Sequence, residues 1–284
     1  KVRSGEWVGS LGMSEPDYGT DVLGMQTSAV QNEDGTWCIN GRKMWITNGI
    51  VDEEGTPADV VWLYARTGTD ERGRAELTTF LVEKGMGGYS SGQKIKDKLG
   101  MRSSTTAELV FEDCIVPPEN VVGEPGESMI HLMRNLEHER VGLAAMSLGI
   151  ARRCLAEMNA YASDREAFGK QIREFGQIQR HIGESWAEYR AMRAYVYDTA
   201  RQIDLSEAGH RLDSDGVKLF ATTSAKNIAD RAIQVLGGYG YVGEYVVERL
   251  WRDAKLLEIG GGTLESHQKN ITKDLSRDPG VIET

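Results

Sequence analysis

The six prolines of this 284-residue chain are Pro16, Pro57, Pro117, Pro118, Pro125 and Pro279, so residues 126 to 278 contain none. Proline inside a helix removes a backbone donor and clashes with the preceding turn, at a cost of about 3 kcal/mol or more. A stretch this long without one is free to form long helices. Its apolar residues recur at helical spacing from Ser128: Met129, Leu132, Met133, Leu136, Leu143, Met146 and Ile150. "FGQIQRHIGESWAEYRAMRAYVYDTARQI" continues the pattern, and "SDGVKLFATTSAKNIADRAIQVLGG" reads as a third helix closed by a glycine pair. Long helices with short links predict an antiparallel bundle.

Before about residue 122 the period changes. "DGTWCINGRKMWITNG" sets turn signals, Asp34-Gly35 and Asn40-Gly41, around the run Trp37-Cys38-Ile39. "ADVVWLYARTG", "LTTFLVEKG" and "AELVFEDCIVP" are short apolar runs bounded by turn residues, and the polar "RTGTDERGRAE" reads as a surface loop. The chain therefore reads as α+β, a β domain over residues 1–122 followed by a helical domain over residues 123–284.

At 40% hydrophobic residues the composition suits a globular chain, and no apolar run approaches the roughly 20 residues that span a bilayer. No membrane partner is expected, and "KVRSGEWVGS" does not resemble a signal peptide. Cys38, Cys114 and Cys154 are odd in number and widely spaced, which fits a reducing compartment better than a disulfide framework or a zinc site. A net charge of -10 argues against nucleic acid as a partner. The five histidines do not fall at metal-ligand spacing, so no metal is expected.

Several stretches could carry chemistry, each beside a plainer reading. "GSLGMSEPDYGTDV" suits a surface turn, or a loop whose N–H groups and hydroxyls, with Ser14, Gly19 and Thr20, hold a phosphate or a ring edge. Trp45 and Thr47 in "KMWITNG" suit an ordinary strand, or a planar ring stacked on the indole. Arg165 in "REAFGKQI" suits a solvated helix face, or a pyrophosphate partner. "QVLGGYGYVG" suits a helix cap, or a close backbone approach to a ligand; it lacks the dinucleotide-binding spacing. In "NLEHERVGLAAM", Glu137, His138, Glu139 and Arg140 suit a charged face. A carboxylate turned toward the apolar run that follows would be desolvated, and so suited to act as a base near neutral pH.

In this order, "MSEPDYGTDV", "GRKMWITNG", "DKLGMRSSTTAELVFEDCIVP", "REAFGKQI", "QVLGGYGY" and "RDAKLLEIGGGTLE" resemble the acyl-CoA dehydrogenase family over essentially the whole chain. The resemblance implies a β-barrel-like middle domain and a C-terminal antiparallel four-helix bundle, with the family's N-terminal helical domain outside this sequence. It implies FAD as cofactor and α,β-desaturation of an acyl-CoA thioester. In that reaction a glutamate takes the α-proton, the β-hydride passes to N5 of FAD, and a backbone N–H holds the thioester carbonyl. Electrons then pass to an electron-transfer flavoprotein. The family also implies a homotetramer, a dimer of dimers, in a bacterial cytoplasm or a mitochondrial matrix.

Within the family the base often stands just before the last Gly-Thr, which here is Gly261 before Gly262 and Thr263. The isovaleryl-CoA dehydrogenase-like subgroup carries it on the first long helix before an arginine, and that position is Glu139 before Arg140. By the same resemblance Met13, Ser14, Thr20, Trp45, Thr47, Thr263 and Glu265 would contact FAD. Arg165, Phe168, Gln234 and Gly238 would reach the FAD of a neighbouring subunit. Thr20, Glu137, Arg140, Leu143, Gly260 and Gly261 would line the substrate, with Gly260 leaving room for a branched or bulky acyl group. Three features depart from the pattern: Gly176 with Gln177 beside it in place of a glutamine, Ile130 in place of a tyrosine, and the tail "LESHQKN". Two other readings fit the same motifs: an oxidase that returns electrons to oxygen, and a non-catalytic FAD- or CoA-binding subunit of a hetero-oligomer.

Overall fold

The computed structural model describes residues 1–203 and 209–283. Their contacts divide into two compact units, Lys1–Lys98 with Arg102–Leu132, and Leu99–Met101 with Met133–Thr284. No helix among the described residues is long and apolar enough to cross a membrane.

The first unit holds eight strands: β1 (Gly9–Gly12), β2 (Ser28–Gln31), β3 (Trp37–Thr47), β4 (Val60–Thr69), β5 (Ala75–Glu83), β6 (Tyr89–Lys94), β7 (Thr106–Val116) and β8 (Val121–Val122). They form one sheet in the order β6-β7-β3-β2-β4-β5-β8, with β1 added in parallel to β4. Its core comes from alternate residues of the long strands: Ile39, Leu63, Phe80, Leu109 and Phe111 are each at most 1% exposed. Each such burial contributes about 1.5–3 kcal/mol. Trp37 meets Phe80 edge-on at 5.4 Å.

Two expectations change here. The barrel-like closure is replaced by an open sheet, because no pairing among the described residues joins β6 to β8. With only Val121 and Val122 on the ladder, β8 is too short to carry the staggered register that closure needs. The second change concerns the turn signals. Asp34-Gly35 does lie in the β2–β3 turn, with Gly35 at φ 86°. Asn40-Gly41 instead lies inside β3, where the register against β7 shifts. A Cβ on Gly41 would stand 2.5 Å from the Thr27 hydroxyl, so that glycine serves a bulge and a close approach.

The second unit is helical. Its helices are α1 (Ser128–Asp164), α2 (Gly176–Gln202), α3 (Arg211–Leu236), the single turn α4 (Gly238–Tyr241), α5 (Val247–Ile259) and α6 (Leu264–Arg277). A small hairpin, β9 (Glu166–Ala167) and β10 (Lys170–Gln171), links α1 to α2. Gly237 ends α3 as the glycine pair predicts, at φ 60° and ψ -131°, a positive-φ conformation outside the left-handed helical region that glycine adopts without a Cβ clash.

The buried stripe of α1 follows its apolar residues only in part: Leu132 and Ile150 are buried, but two others are not. Met133 and Met146 are 38% and 49% exposed. The stripe instead runs through Glu137, Arg140, Ala144, Ser147, Ala151, Cys154 and Met158. Ala221, Ala225, Ala229 and Ala232 of α3 belong to the same buried cluster, which mixes alanines with larger residues such as Met158, Met192 and Ile228.

Candidate functional site

In the first unit, the loop after β1 is fastened to β3 by a buried ion pair. The Lys43 ammonium is fully buried and donates to Glu15 Oε1 at 2.9 Å and to the Met13 carbonyl at 3.0 Å. The same Glu15 carboxylate accepts N–H bonds from Gln26 at 2.7 Å and Thr27 at 2.9 Å. Met44 N–H donates to the Ser14 carbonyl at 2.8 Å. Burial alone would raise the Glu15 carboxyl, but the Lys43 charge and these donors outweigh it and hold it below the usual glutamate range.

This staple brings Met13 and Ser14 beside the segment that carries Trp45 and Thr47. Trp45 sits at φ 59°, in the left-handed region that bulky residues avoid, and its indole is 56% exposed. Register shifts between Lys43 and Ile46, so the strand bulges there and turns the ring outward. An exposed tryptophan on strained backbone, next to the exposed Thr47, is the kind of outlier found at ligand sites. Thr20 is exposed on the same loop.

The Lys43–Glu15 pair is absent from the motif reading. Its signal was in the alternation: Lys43 follows Trp37, Ile39 and Gly41 at period two, which puts an ammonium in phase with the core. Lys43→Met is expected to lower the stability of this unit by about 3 kcal/mol, because it leaves the Glu15 carboxylate buried without its counter-charge. Urea unfolding followed by tryptophan fluorescence checks it. Because the folded-state Glu15 value is depressed, its contribution is present above the ordinary carboxylate range and is lost as pH falls through that depressed value. The acid dependence should therefore flatten in the variant.

In the second unit the triple glycine links α5 to α6. Gly261 and Gly262 take φ 65° and 102°. A Cβ on Gly261 would stand 2.4 Å from Leu143 Cδ1 and 3.5 Å from Glu139 Oε1; one on Gly262 would stand 2.9 Å from His267 Cε1. Both positions therefore require glycine by conformation and by space. Gly260 differs: its φ is -69°, and a Cβ there would meet only the Leu256 carbonyl at 3.6 Å. Its missing side chain leaves open space that the backbone does not demand.

Glu139 Oε1 and Leu143 Cδ1 thus border the space that a Gly261 side chain would take. The Glu139 carboxylate accepts no hydrogen bond among the described residues. Burial raises it above the usual glutamate range, against the opposing pull of Arg140 and Lys218. Its neighbours on α1 have internal partners. Arg140 Nε donates to the Gly261 carbonyl at 3.3 Å and its guanidinium pairs with Asp215 at 3.0 Å. Glu137, 4% exposed, accepts the His210 N–H at 3.3 Å. Asp215 and His267, both fully buried, are further groups the motif reading missed; His267 Nδ1 lies 2.6 Å from Asp215 Oδ1.

Of the remaining sequence candidates, Thr263 is the N-cap of α6, its hydroxyl accepting the Ser266 N–H at 3.3 Å, and Glu265 is exposed in the first turn. Arg165, Gln234 and Gly238 are exposed. Phe168 is 96% exposed at the tip of the β9–β10 hairpin with φ 54°.

Comparison with known proteins adds an independent line. Residues 10–114 match the acyl-CoA dehydrogenase middle domain, and residues 129–276 match the acyl-CoA dehydrogenase C-terminal domain. The chain is 45% identical over 278 residues to a mitochondrial isovaleryl-CoA dehydrogenase of Oryza sativa subsp. japonica, covering 98% of this chain and 66% of that protein. A short-chain-specific acyl-CoA dehydrogenase of Clostridium acetobutylicum is 38% identical, over 97% of this chain and 70% of that protein. The solved butyryl-CoA dehydrogenase of Megasphaera elsdenii superposes with a TM-score of 0.88 at 37% identity, over 95% of this chain and 68% of that one. The chain spans just under two-thirds of the length of the plant enzymes it matches. Two family domains in the expected order, and relatives this similar along nearly all of the sequence, place the chain in the acyl-CoA dehydrogenase family.

Proposed function

We propose that the protein desaturates an acyl-CoA thioester between its α and β carbons, with Glu139 as the base and a branched or bulky acyl group as substrate. The observation that carries this is the Glu139 carboxyl, desolvated, without a hydrogen-bond partner among the described residues, and set against Gly261. A carboxylate in such surroundings accepts a proton near neutral pH, where an exposed glutamate would be too weak a base. The α C–H bond breaks and its proton ends on Glu139. The Gly261 N–H donates to the thioester carbonyl and stabilises the charge that develops there. Gly260 contributes space for the acyl branch.

The residues fit FAD as cofactor: Trp45 offers an exposed ring face on a bulged strand, beside Thr47 and the stapled loop of Met13 and Ser14. When bound, FAD supplies the acceptor for the two electrons and hydrogen leaving the β-carbon. Thr20, Thr263 and Glu265 complete the proposed cofactor set, and Glu137, Arg140 and Leu143 the substrate set. Residues 1–122 form the proposed middle domain and 123–284 the C-terminal four-helix-bundle domain. The exposed Phe168 on strained backbone supports a role for the β9–β10 hairpin at a neighbouring subunit, together with Arg165, Gln234 and Gly238. That role implies at least a dimer, and the proposed assembly is a homotetramer, a dimer of dimers. An electron-transfer flavoprotein is the proposed electron acceptor, in a bacterial cytoplasm or a mitochondrial matrix.

Anaerobic addition of isovaleryl-CoA to the FAD-loaded protein should bleach the oxidised flavin band within seconds. A panel of straight and branched thioesters then ranks the acyl group. A flavin that stays oxidised with every thioester would overturn the desaturase reading in favour of a non-catalytic subunit.

A further inference from the structure

Behind the glycine turn, three donor side chains converge on two successive carbonyls. Arg140 Nε meets the Gly261 carbonyl at 3.3 Å; His267 Nε2 and Lys218 Nζ meet the Gly262 carbonyl at 3.0 and 2.5 Å. A carbonyl only accepts, so His267 carries a proton on Nε2. Arg140 is 5% exposed, and Asp215, Lys218 and His267 are fully buried. Asp215 ties the group together, taking Arg140 on the same oxygen that lies against His267 Nδ1.

Lys218 is the member whose presence is hardest to explain as packing. An ammonium has three donors, and among the described residues this one reaches a single acceptor, the Gly262 carbonyl. Burial and the Arg140 charge push it down to about 8, against Glu139, Asp215 and Glu258, which favour its charged form. Glu258 is itself paired with Lys255 at 2.7 Å, and Asp215 with Arg140. Glu139 is the facing carboxylate without a hydrogen-bonded partner of its own.

We propose that Lys218 is a positioning residue: it holds the Gly262 carbonyl inward, one residue from the Gly261 position that Glu139 Oε1 lies beside, and keeps Glu139 in its ionised, proton-accepting form. This rests on Glu139 being the base. The groups that bear on Glu139 are Arg140 on its own helix and Lys218 on α3; those that bear on Lys218 are Arg140 and Glu139 on α1, Asp215 on α3 and Glu258 on α5.

The test compares wild type, Lys218→Met and Lys218→Gln as FAD-loaded full chains, with thermal melting as a check on folding. Two quantities are read against pH: the ¹³C chemical shift of the Glu139 carboxyl, and the rate of anaerobic flavin bleaching by isovaleryl-CoA. Expected in both variants is an upward move of the Glu139 titration by about one pH unit, with the acid limb of the rate following it. Lys218→Gln, which keeps a donor for Gly262, should recover a rate within about twofold of wild type well above that limb. It serves alone should Lys218→Met fail to fold. An unmoved Glu139 titration would overturn the proposal. Bleaching at the normal rate by Glu139→Gln would overturn the base reading itself, and with it the catalytic meaning of Lys218, while the carboxyl titration would still report whether the two charges are coupled.

Discussion

Glu139→Gln is expected to slow flavin bleaching by about 10³-fold or more, within the range that a positioned general base contributes. The amide is nearly the same size, and the carboxylate it replaces accepts no hydrogen bond among the described residues. The fold, the flavin content and the position of Gly261 should therefore survive. Stopped-flow bleaching under anaerobic conditions, at equal flavin occupancy, measures the loss. The wild-type rate should also fall on the acid side at a pH above the ordinary glutamate range, because burial raises this carboxyl and only its ionised form can take a proton. A rate within tenfold of wild type would remove Glu139 from the role of base.

The largest effect on stability should come from Asp215→Ala. Asp215 is fully buried, and it is the shared partner of Arg140 and His267. Its removal leaves a buried guanidinium and a buried ammonium, Lys218, with less counter-charge between them. Breaking a buried pair in this way costs about 3–5 kcal/mol. For a unit of this size that corresponds to a melting temperature lower by roughly 10 °C. Differential scanning calorimetry of wild type, Asp215→Ala and Asp215→Asn measures it, and the asparagine variant should lose less because it keeps an acceptor for Arg140. A change below about 1 kcal/mol in the alanine variant would show that water or neighbouring groups replace the carboxylate.

Much of the architecture was legible because it follows from backbone chemistry. The proline-free stretch does hold the long helices, and the glycine pair after Leu236 does cap α3. The family resemblance pointed to Glu139 by its place before Arg140, and the structure sets that carboxyl beside the Gly261 position. What stayed hidden were polar groups buried in pairs. A rule that seeks apolar residues on the inner face of α1 selects Met133 and Met146, yet the packed stripe contains Glu137 and Arg140. Partners far along the chain satisfy them, the His210 N–H for Glu137 and the Asp215 carboxylate for Arg140, and spacing within one helix cannot reveal such partners. Lys218 did leave a trace, standing in helical phase with the buried Ala221, Ala225 and Ala229. Asn40-Gly41 misled for a related reason: its glycine answers to the close approach of Thr27, a tertiary cause, and the local pair alone reads as a turn.

The alanine-lined core of the helical unit also sets which kinds of change each half of the molecule can absorb. In the strand unit the interior is built of large side chains such as Phe80, Phe111 and Leu63, and truncation there opens a void. In the helical core several interior side chains are already near the minimum, at Ala144, Ala151, Ala221, Ala225, Ala229 and Ala232, beside larger ones such as Met158, Met192 and Ile228. Little can be cut away from them, and an added methylene has nowhere to go without pushing two helices apart. The helical half thus adds, at these alanines, a fragility to growth, while at Met158, Met192 and Ile228 it shares the strand half's fragility to loss of volume. The groups proposed for proton transfer sit in this helical half, where added volume at the alanine positions is the greater risk.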